Sequence, residues 1–105
     1  MSKHLKIEVF VPEEYVVNIV NGLNSNDILK EGHYDYVFAT TKVKGHFRPI
    51  EGANPFSGEI GVVQECDEVK MEFRIREEDL SEVKKVIELK HPYEEPIINI
   101  IELID

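Results

Sequence analysis

The chain has 105 residues, 42% of them hydrophobic, a length and composition typical of one ordered domain spanning residues 1–105. Its formal net charge is -9, from 21 acidic and 12 basic side chains. This balance excludes nucleic acid and anionic membrane surfaces from the expected partners, because binding to either needs clustered Lys and Arg.

Two further features of the composition indicate a cytoplasmic protein. No apolar stretch approaches the ~18 residues of a membrane span, and residues 1–6 do not begin a signal peptide. The single cysteine, Cys66, cannot form an internal disulfide, and acidic neighbours such as Glu65 and Asp67 raise the pKa of a thiol. We therefore expect Cys66 to be structural rather than a nucleophile.

The first half of the chain predicts a strand, a helix and a second strand. Over residues 5–11, aliphatic side chains at every second position alternate with Lys6, Glu8 and Phe10, the period of a half-buried strand. Pro12 ends this strand and suits the first turn of a helix, whose apolar stripe recurs over residues 16–23. The polar run 24–27 ends the helix, and the β-branched and aromatic residues 34–41 predict the second strand.

The second half begins with a long loop and then repeats the order of elements. Residues 42–61 hold four glycines and two prolines, and a loop of this length in a compact domain indicates either a functional loop or a mispredicted element. Alternation over residues 69–76 predicts a third strand, and Asp79 with Glu82 has the spacing of a capping box at the start of a second helix. Residues 97–104 predict a last strand that is apolar on both faces and should be covered on both sides.

The two halves are related by a shift of 64 residues, which places the strand at 5–9 on the strand at 69–73. Two strand–helix–strand units in tandem predict the α+β class and a ferredoxin-like split βαβ fold with the order βαββαβ. The right-handed crossover rule places the first and third strands at the centre, with both helices on one face. The other face would then be half charged and half apolar, and with the last strand it favours a homo-oligomer.

The stretch His91-Pro92-Tyr93-Glu94-Glu95-Pro96 is the most distinctive motif. One imidazole and two carboxylates offer ligands for a divalent metal, which would use His91, Glu94 and Glu95. The alternative is a rigid helix-to-strand connector, in which His91 caps the last helical carbonyls. The site could also be completed by His33 or His46 of a neighbouring chain.

The only basic cluster of this acidic chain lies at the start of the long loop. If this stretch is extended, Lys42, Lys44, His46 and Arg48 point to one side and suit a phosphate, a carboxylate or an acidic protein partner. The alternative is a solvated strand edge, where lysine discourages unwanted pairing. The candidate ligand-binding residues are Arg48, His46, Lys44, Glu51 and Asn54.

The motif 91–96 ahead of an Ile-rich strand, together with the loop at 45–61, resembles the YqfO family. The resemblance implies a fold similar to the CutA and PII proteins, which are ferredoxin-like trimers, and CutA has a related His-Pro-Tyr stretch. In many members this unit is inserted into a larger dimetal-binding protein, often labelled GTP cyclohydrolase type II-like or NGG-interacting-factor-like. The dimetal ligands of that protein lie in flanking halves that this chain lacks, so neither that site nor a cyclohydrolase activity carries over.

Three functions follow from these patterns. The first is a non-catalytic oligomeric binding or regulatory module, in which the loop at 42–61 meets a small anion or a protein partner, as the equivalent loop does in PII proteins. The second is a CutA-like divalent metal-binding protein that uses the 91–95 motif. The third is an enzyme with a site between subunits, which we do not expect because no nucleophile–base pair is visible.

Overall fold

The computed structural model describes residues 3–104, which form one four-stranded antiparallel sheet with two helices on one of its faces. The elements are β1 (His4–Val11), α1 (Val16–Asn24), β2 (Ala39–Phe47), β3 (Gln64–Arg76), α2 (Leu80–Lys90) and β4 (Ile98–Glu102). The strand order is β2-β3-β1-β4. This order confirms the ferredoxin-like fold and the central position of the first and third strands.

The core lies between the sheet and the helices. Every second side chain of β1, from Leu5 to Val11, is buried, and the same alternation holds in β3 from residue 69 to residue 75. The apolar stripes of the helices close this layer, with Leu23 and Ile87 fully buried. Each such side chain contributes about 1.5–3 kcal/mol when it leaves water, so the two periods largely determine the fold.

Both helices begin with a short 3-10 turn, Glu13–Tyr15 before α1 and Glu77–Asp79 before α2. The predicted capping box is wrong: the Asp79 side chain caps no helical N–H and instead accepts a hydrogen bond from Arg76 Nε at 3.3 Å. The reason is that Asp79 already has helical backbone angles, whereas a capping residue needs an extended backbone. Over residues 3–104, no helix is long and apolar enough to cross a membrane.

The second strand lies further along the chain than predicted, and the long loop is correspondingly shorter. Tyr36 has a positive φ of 52°, and both its N–H and its hydroxyl bond to side chains of α1, Asn24 and Asn21. Residues 34–37 are thus held to the helix instead of entering the sheet. Strand β2 continues to Phe47, paired in register with β3, and the loop spans residues 48–63.

Strand β4 is a sheet edge of five residues, not the fully covered strand that was expected. Only Ile98 packs against the core, whereas Ile100 and Ile101 are 42% and 41% exposed. The prediction of cover on both faces is therefore wrong within one chain, because β4 lies at the margin of the layer that the helices close. What remains is an apolar edge that another chain could cover.

Candidate functional site: a pocket beneath the long loop

The loop 48–63 and the connector between α2 and β4 enclose a pocket of about 470 Å³. Phe10 and Glu68 supply its base from the two central strands, Phe47 and Arg48 line it where the loop begins, and Tyr93 lines it from the connector. The volume lies within the range of roughly 300–1,000 Å³ that is usual for small-molecule sites. The two segments that the sequence singled out thus meet at one place.

The strand register shows which face of the sheet carries this pocket. Phe10 lies opposite Lys70, and Glu68 lies opposite Val43, so both belong to the set that alternates with the buried core positions. The pocket is therefore built on the face that the helices leave free, at the end of β1 that is distant from His4.

His91 holds the connector in place. Its side chain is buried, its Nε2 lies 2.7 Å from the carbonyl oxygen of Phe10, and its Nδ1 accepts the N–H of Tyr93 at 3.1 Å. Because a backbone N–H can only donate, Nδ1 is unprotonated and Nε2–H is the donor to the carbonyl. Burial lowers the pKa of His91, in keeping with this neutral form.

These bonds bear on the metal hypothesis. Both ring nitrogens of His91 have partners, and the ring lies outside the pocket lining, whereas Glu94 and Glu95 line it. Across residues 3–104, no three His, Cys, Asp or Glu side chains are arranged to hold a metal ion. A metal at Glu94 and Glu95 would need ligands from a second chain, as the hypothesis with His33 or His46 supposes, and this stays a prediction.

Tyr93 links the connector to the sheet. Its hydroxyl donates to Glu68 Oε2 at 2.8 Å. Burial is the main cause that raises the pKa of Tyr93, and the nearby Glu68 carboxylate is the second. The Glu68 side chain lies over Gly45, where a Cβ atom would overlap Glu68 Oε1. Burial, and to a smaller extent the Glu68 carboxylate, also raise the pKa of the Cys66 thiol. A raised thiol pKa agrees with a structural role for this cysteine.

The loop is fixed over the pocket by one ring and one backbone contact. The Phe56 ring lies edge-on to Tyr15 at 6.1 Å and tilted against Tyr93 at 5.9 Å. The N–H of Asn54 donates to Glu94 Oε1 at 2.9 Å. Gly58 has a φ of 91°, a conformation that favours glycine, so the loop can turn back towards the start of β3.

The predicted basic cluster is divided by its pairing. Lys44 Nζ donates to Asp67 at 2.6 Å, and His46 lies 3.2 Å from Glu65, both across the β2–β3 ladder. Lys42 Nζ lies 3.9 Å from a Glu13 carboxylate oxygen. The fourth member, Arg48, lies beyond the end of β2 and has no such partner across the ladder.

That fourth member, Arg48, makes no hydrogen bond or ion pair within residues 3–104 and lines the pocket together with His46. Lys44, Glu51 and Asn54 do not line it, although the backbone N–H of Asn54 donates to the pocket residue Glu94. No sequence pattern indicates a role for Phe10 or Glu68. Glu68 can be recognised only from the strand register, which pairs it with Val43 and so brings its side chain next to Gly45, two residues further along β2.

The fold and the pocket define a CutA-like, ferredoxin-like domain with a groove on its open sheet face. No family model matches the chain. It is similar to a "GTP cyclohydrolase 1 type 2 homolog" of Staphylococcus epidermidis, 34% identical over 102 residues, which is 97% of this chain. Among solved structures, a Bacillus cereus protein related to NIF3 covers 99% of the chain at 25% identity, with a TM-score of 0.85.

The CutA protein of Pyrococcus horikoshii shares the fold, with a TM-score of 0.72 and 21% identity. The match covers 96% of this chain and 85% of that protein. By contrast, the chain spans 28% of the S. epidermidis relative and 26% of the B. cereus protein. The longer relatives therefore contain regions that have no counterpart in this chain.

The His91 environment predicts a fall in stability with acidity. In the unfolded chain this imidazole becomes protonated near its ordinary pKa of about 6.5, whereas its pKa in the folded chain is lower. At a pH between these two pKa values, the unfolded state therefore binds more protons than the folded state. The stabilising contribution is present above the ordinary pKa and is lost as the pH falls through the folded value. Urea unfolding of the wild type should show the free energy of unfolding decreasing from pH 7 to pH 5, and His91→Gln should flatten this slope.

The exposed His33 supplies the matched control, because His33→Gln should leave the slope unchanged. An equally steep slope in His91→Gln would show that other groups carry the pH dependence.

The contact of Gly45 with Glu68 predicts a coupled pair of substitutions. Gly45→Ala should displace the Glu68 carboxylate and break its hydrogen bond with Tyr93. Replacing a strand glycine by alanine alone would stabilise the fold by ~0.5–1 kcal/mol. Because the lost hydrogen bond outweighs this gain, the net free energy of unfolding should fall by about 1–2 kcal/mol. In a Glu68→Ala background the same change should cost nothing. Urea unfolding of the double-mutant cycle measures this, and equal costs in both backgrounds would refute the coupling.

Proposed function

We propose that the chain is a YqfO-type domain that acts as a non-catalytic oligomeric binding module, with the pocket beneath the loop 48–63 as its ligand site. The observation that carries the proposal is the convergence of this loop and the 91–96 connector on one pocket of about 470 Å³. The similarity to the S. epidermidis relative over 97% of the chain supports the family assignment. A single domain over residues 1–105 and a cytoplasmic location are part of the proposal.

Arg48 is the residue that we expect to meet an anionic group of the ligand. It is exposed, it lines the pocket, and it makes no ion pair with any other described residue. A guanidinium presents a planar set of donors that fits a carboxylate or a phosphate. Lys44 is a weaker candidate because Asp67 already neutralises it.

The state of the nearby reactive groups supports binding rather than catalysis. The neutral His91 has both nitrogens in hydrogen bonds, so it has no free position from which to accept a proton. The pKa values of Cys66 and Tyr93 are raised, which disfavours a thiolate or phenolate nucleophile. In this proposal Tyr93 lines the pocket and His91 holds the connector in place, and neither reacts with the ligand.

Self-association is the second part of the proposal, and strand β4 is the surface that supports it. The side chains of Ile97, Ile100, Ile101 and Ile104 are exposed at this edge, and an apolar edge strand readily pairs with another chain. We propose a homotrimer, with a homodimer as the alternative.

Removal of the Arg48 charge should weaken the binding of an apolar anion. We expect 3-phenylpropionate to shift the NMR resonances of the pocket residues and Arg48→Gln to raise its dissociation constant about fivefold or more. Lys84→Gln, which removes an exposed charge on α2, should leave the constant unchanged. Equal affinities in the wild type and in Arg48→Gln would contradict the role of Arg48.

A charge on β4 should dissociate the oligomer. Native mass spectrometry of the wild type should show three chains or two, and Ile101→Lys should shift the population to one chain, because burial of an unpaired ammonium is costly. Val17→Lys, at an exposed apolar position of α1, is the control and should keep the wild-type mass. A wild-type mass of one chain would refute self-association.

A further inference from the structure

The charges around the pocket are unequal. Among the described residues 3–104, Glu68, Glu94 and Glu95 bring three carboxylates to its lining, whereas Arg48 supplies the one guanidinium. The imidazole of His46 also lines the pocket, but it is engaged with Glu65. With a chain charge of -9 around it, a ligand that carries only negative charge would be repelled by most of this site.

The three carboxylates differ in how many of their oxygens are already bonded. Glu68 accepts the Tyr93 hydroxyl at 2.8 Å and lies against Gly45, so it is held to the sheet. Glu94 accepts the Asn54 N–H at 2.9 Å through one oxygen. Glu95 is exposed and makes no hydrogen bond or ion pair with the part of the chain that the structure describes. Free acceptor capacity therefore lies at Glu95 and at the second oxygen of Glu94.

Most of the other residues that line the pocket are apolar, Ser57 being an exception. Phe10, Phe47, Tyr93 and Ile97 supply rings and a branched side chain between the charged groups. Such walls bind an apolar body by removing it from water, and the face of an aromatic ring also attracts a nearby ammonium. The pocket thus combines one free cation, free carboxylate oxygens and an apolar surface.

We propose that the ligand of this pocket is a zwitterionic α-amino acid with an apolar side chain. Its carboxylate pairs with Arg48, its ammonium pairs with Glu95 and the free oxygen of Glu94, and its side chain lies against the aromatic residues. This inference rests on the proposed function and adds the chemical class of the ligand. A zwitterion satisfies both signs of charge, whereas an organic cation would leave Arg48 unpaired and an organic anion would leave the carboxylates unpaired.

Three compounds of the same shape separate the charges. Phenylalanine carries both, 3-phenylpropionate lacks the ammonium, and 2-phenylethylamine lacks the carboxylate. NMR titration of the full chain with each compound gives the dissociation constants, which should be about fivefold lower for phenylalanine than for either of the other two. Glu95→Gln should reduce the advantage of phenylalanine over 3-phenylpropionate, and Glu88→Gln, at an exposed position of α2, should not.

The outcomes distinguish a failure of the zwitterion inference from a failure of the proposed ligand-binding function. If 3-phenylpropionate binds as tightly as phenylalanine, the zwitterion is refuted and the anion-binding module stands. If 2-phenylethylamine binds as tightly as phenylalanine, both the zwitterion and the role of Arg48 are refuted. If none of the three compounds shifts pocket resonances at millimolar concentration, the small-molecule site itself fails and the inference fails with it.

Discussion

His91 makes one hydrogen bond at each ring nitrogen, and the position of the connector between α2 and β4 depends on these two bonds. The bond to the Phe10 carbonyl joins the connector to the end of a central strand, and the bond from the Tyr93 N–H fixes the turn that follows. Because the ring is buried and neutral, neither bond is exchanged readily with water. Tyr93 can then reach Glu68, and Glu94 can receive the loop at Asn54.

The same constraint supports the proposal that this region binds a ligand without reacting with it. Among residues 3–104, no buried side-chain nitrogen or oxygen lacks a hydrogen-bond partner, so the polar groups behind the pocket are already satisfied. The unsatisfied groups lie at the rim, at Arg48 and at Glu95. A scaffold with fixed inner bonds and free outer charges keeps its shape while the outer charges exchange water for a ligand.

The sequence predicts those parts of the fold that depend on local period and fails where a distant partner decides. The alternation in β1 and β3 and the stripes of both helices lie where the periods place them, because burial of one face determines each of them. The start of β2 was wrong because Tyr36 bonds to α1, and the capping box failed because Asp79 has helical backbone angles. Arg48 and Glu94 were singled out from composition and motif, but Glu68 could not be, since its contact with Gly45 exists only after β2 and β3 are in register.

The two ends of the described chain bear on how this fold can match part of a longer protein. Leu5 lies opposite Glu102 in the antiparallel β1–β4 pair, and the N–H of Leu103 donates to the His4 carbonyl at 3.0 Å. Entry and exit are therefore neighbours at one end of the sheet, whereas the pocket lies beside Phe10 at the other end. A unit with adjacent ends can continue into longer flanking segments without disturbing its core. This geometry agrees with a match that covers 97% of this chain and 28% of the S. epidermidis relative.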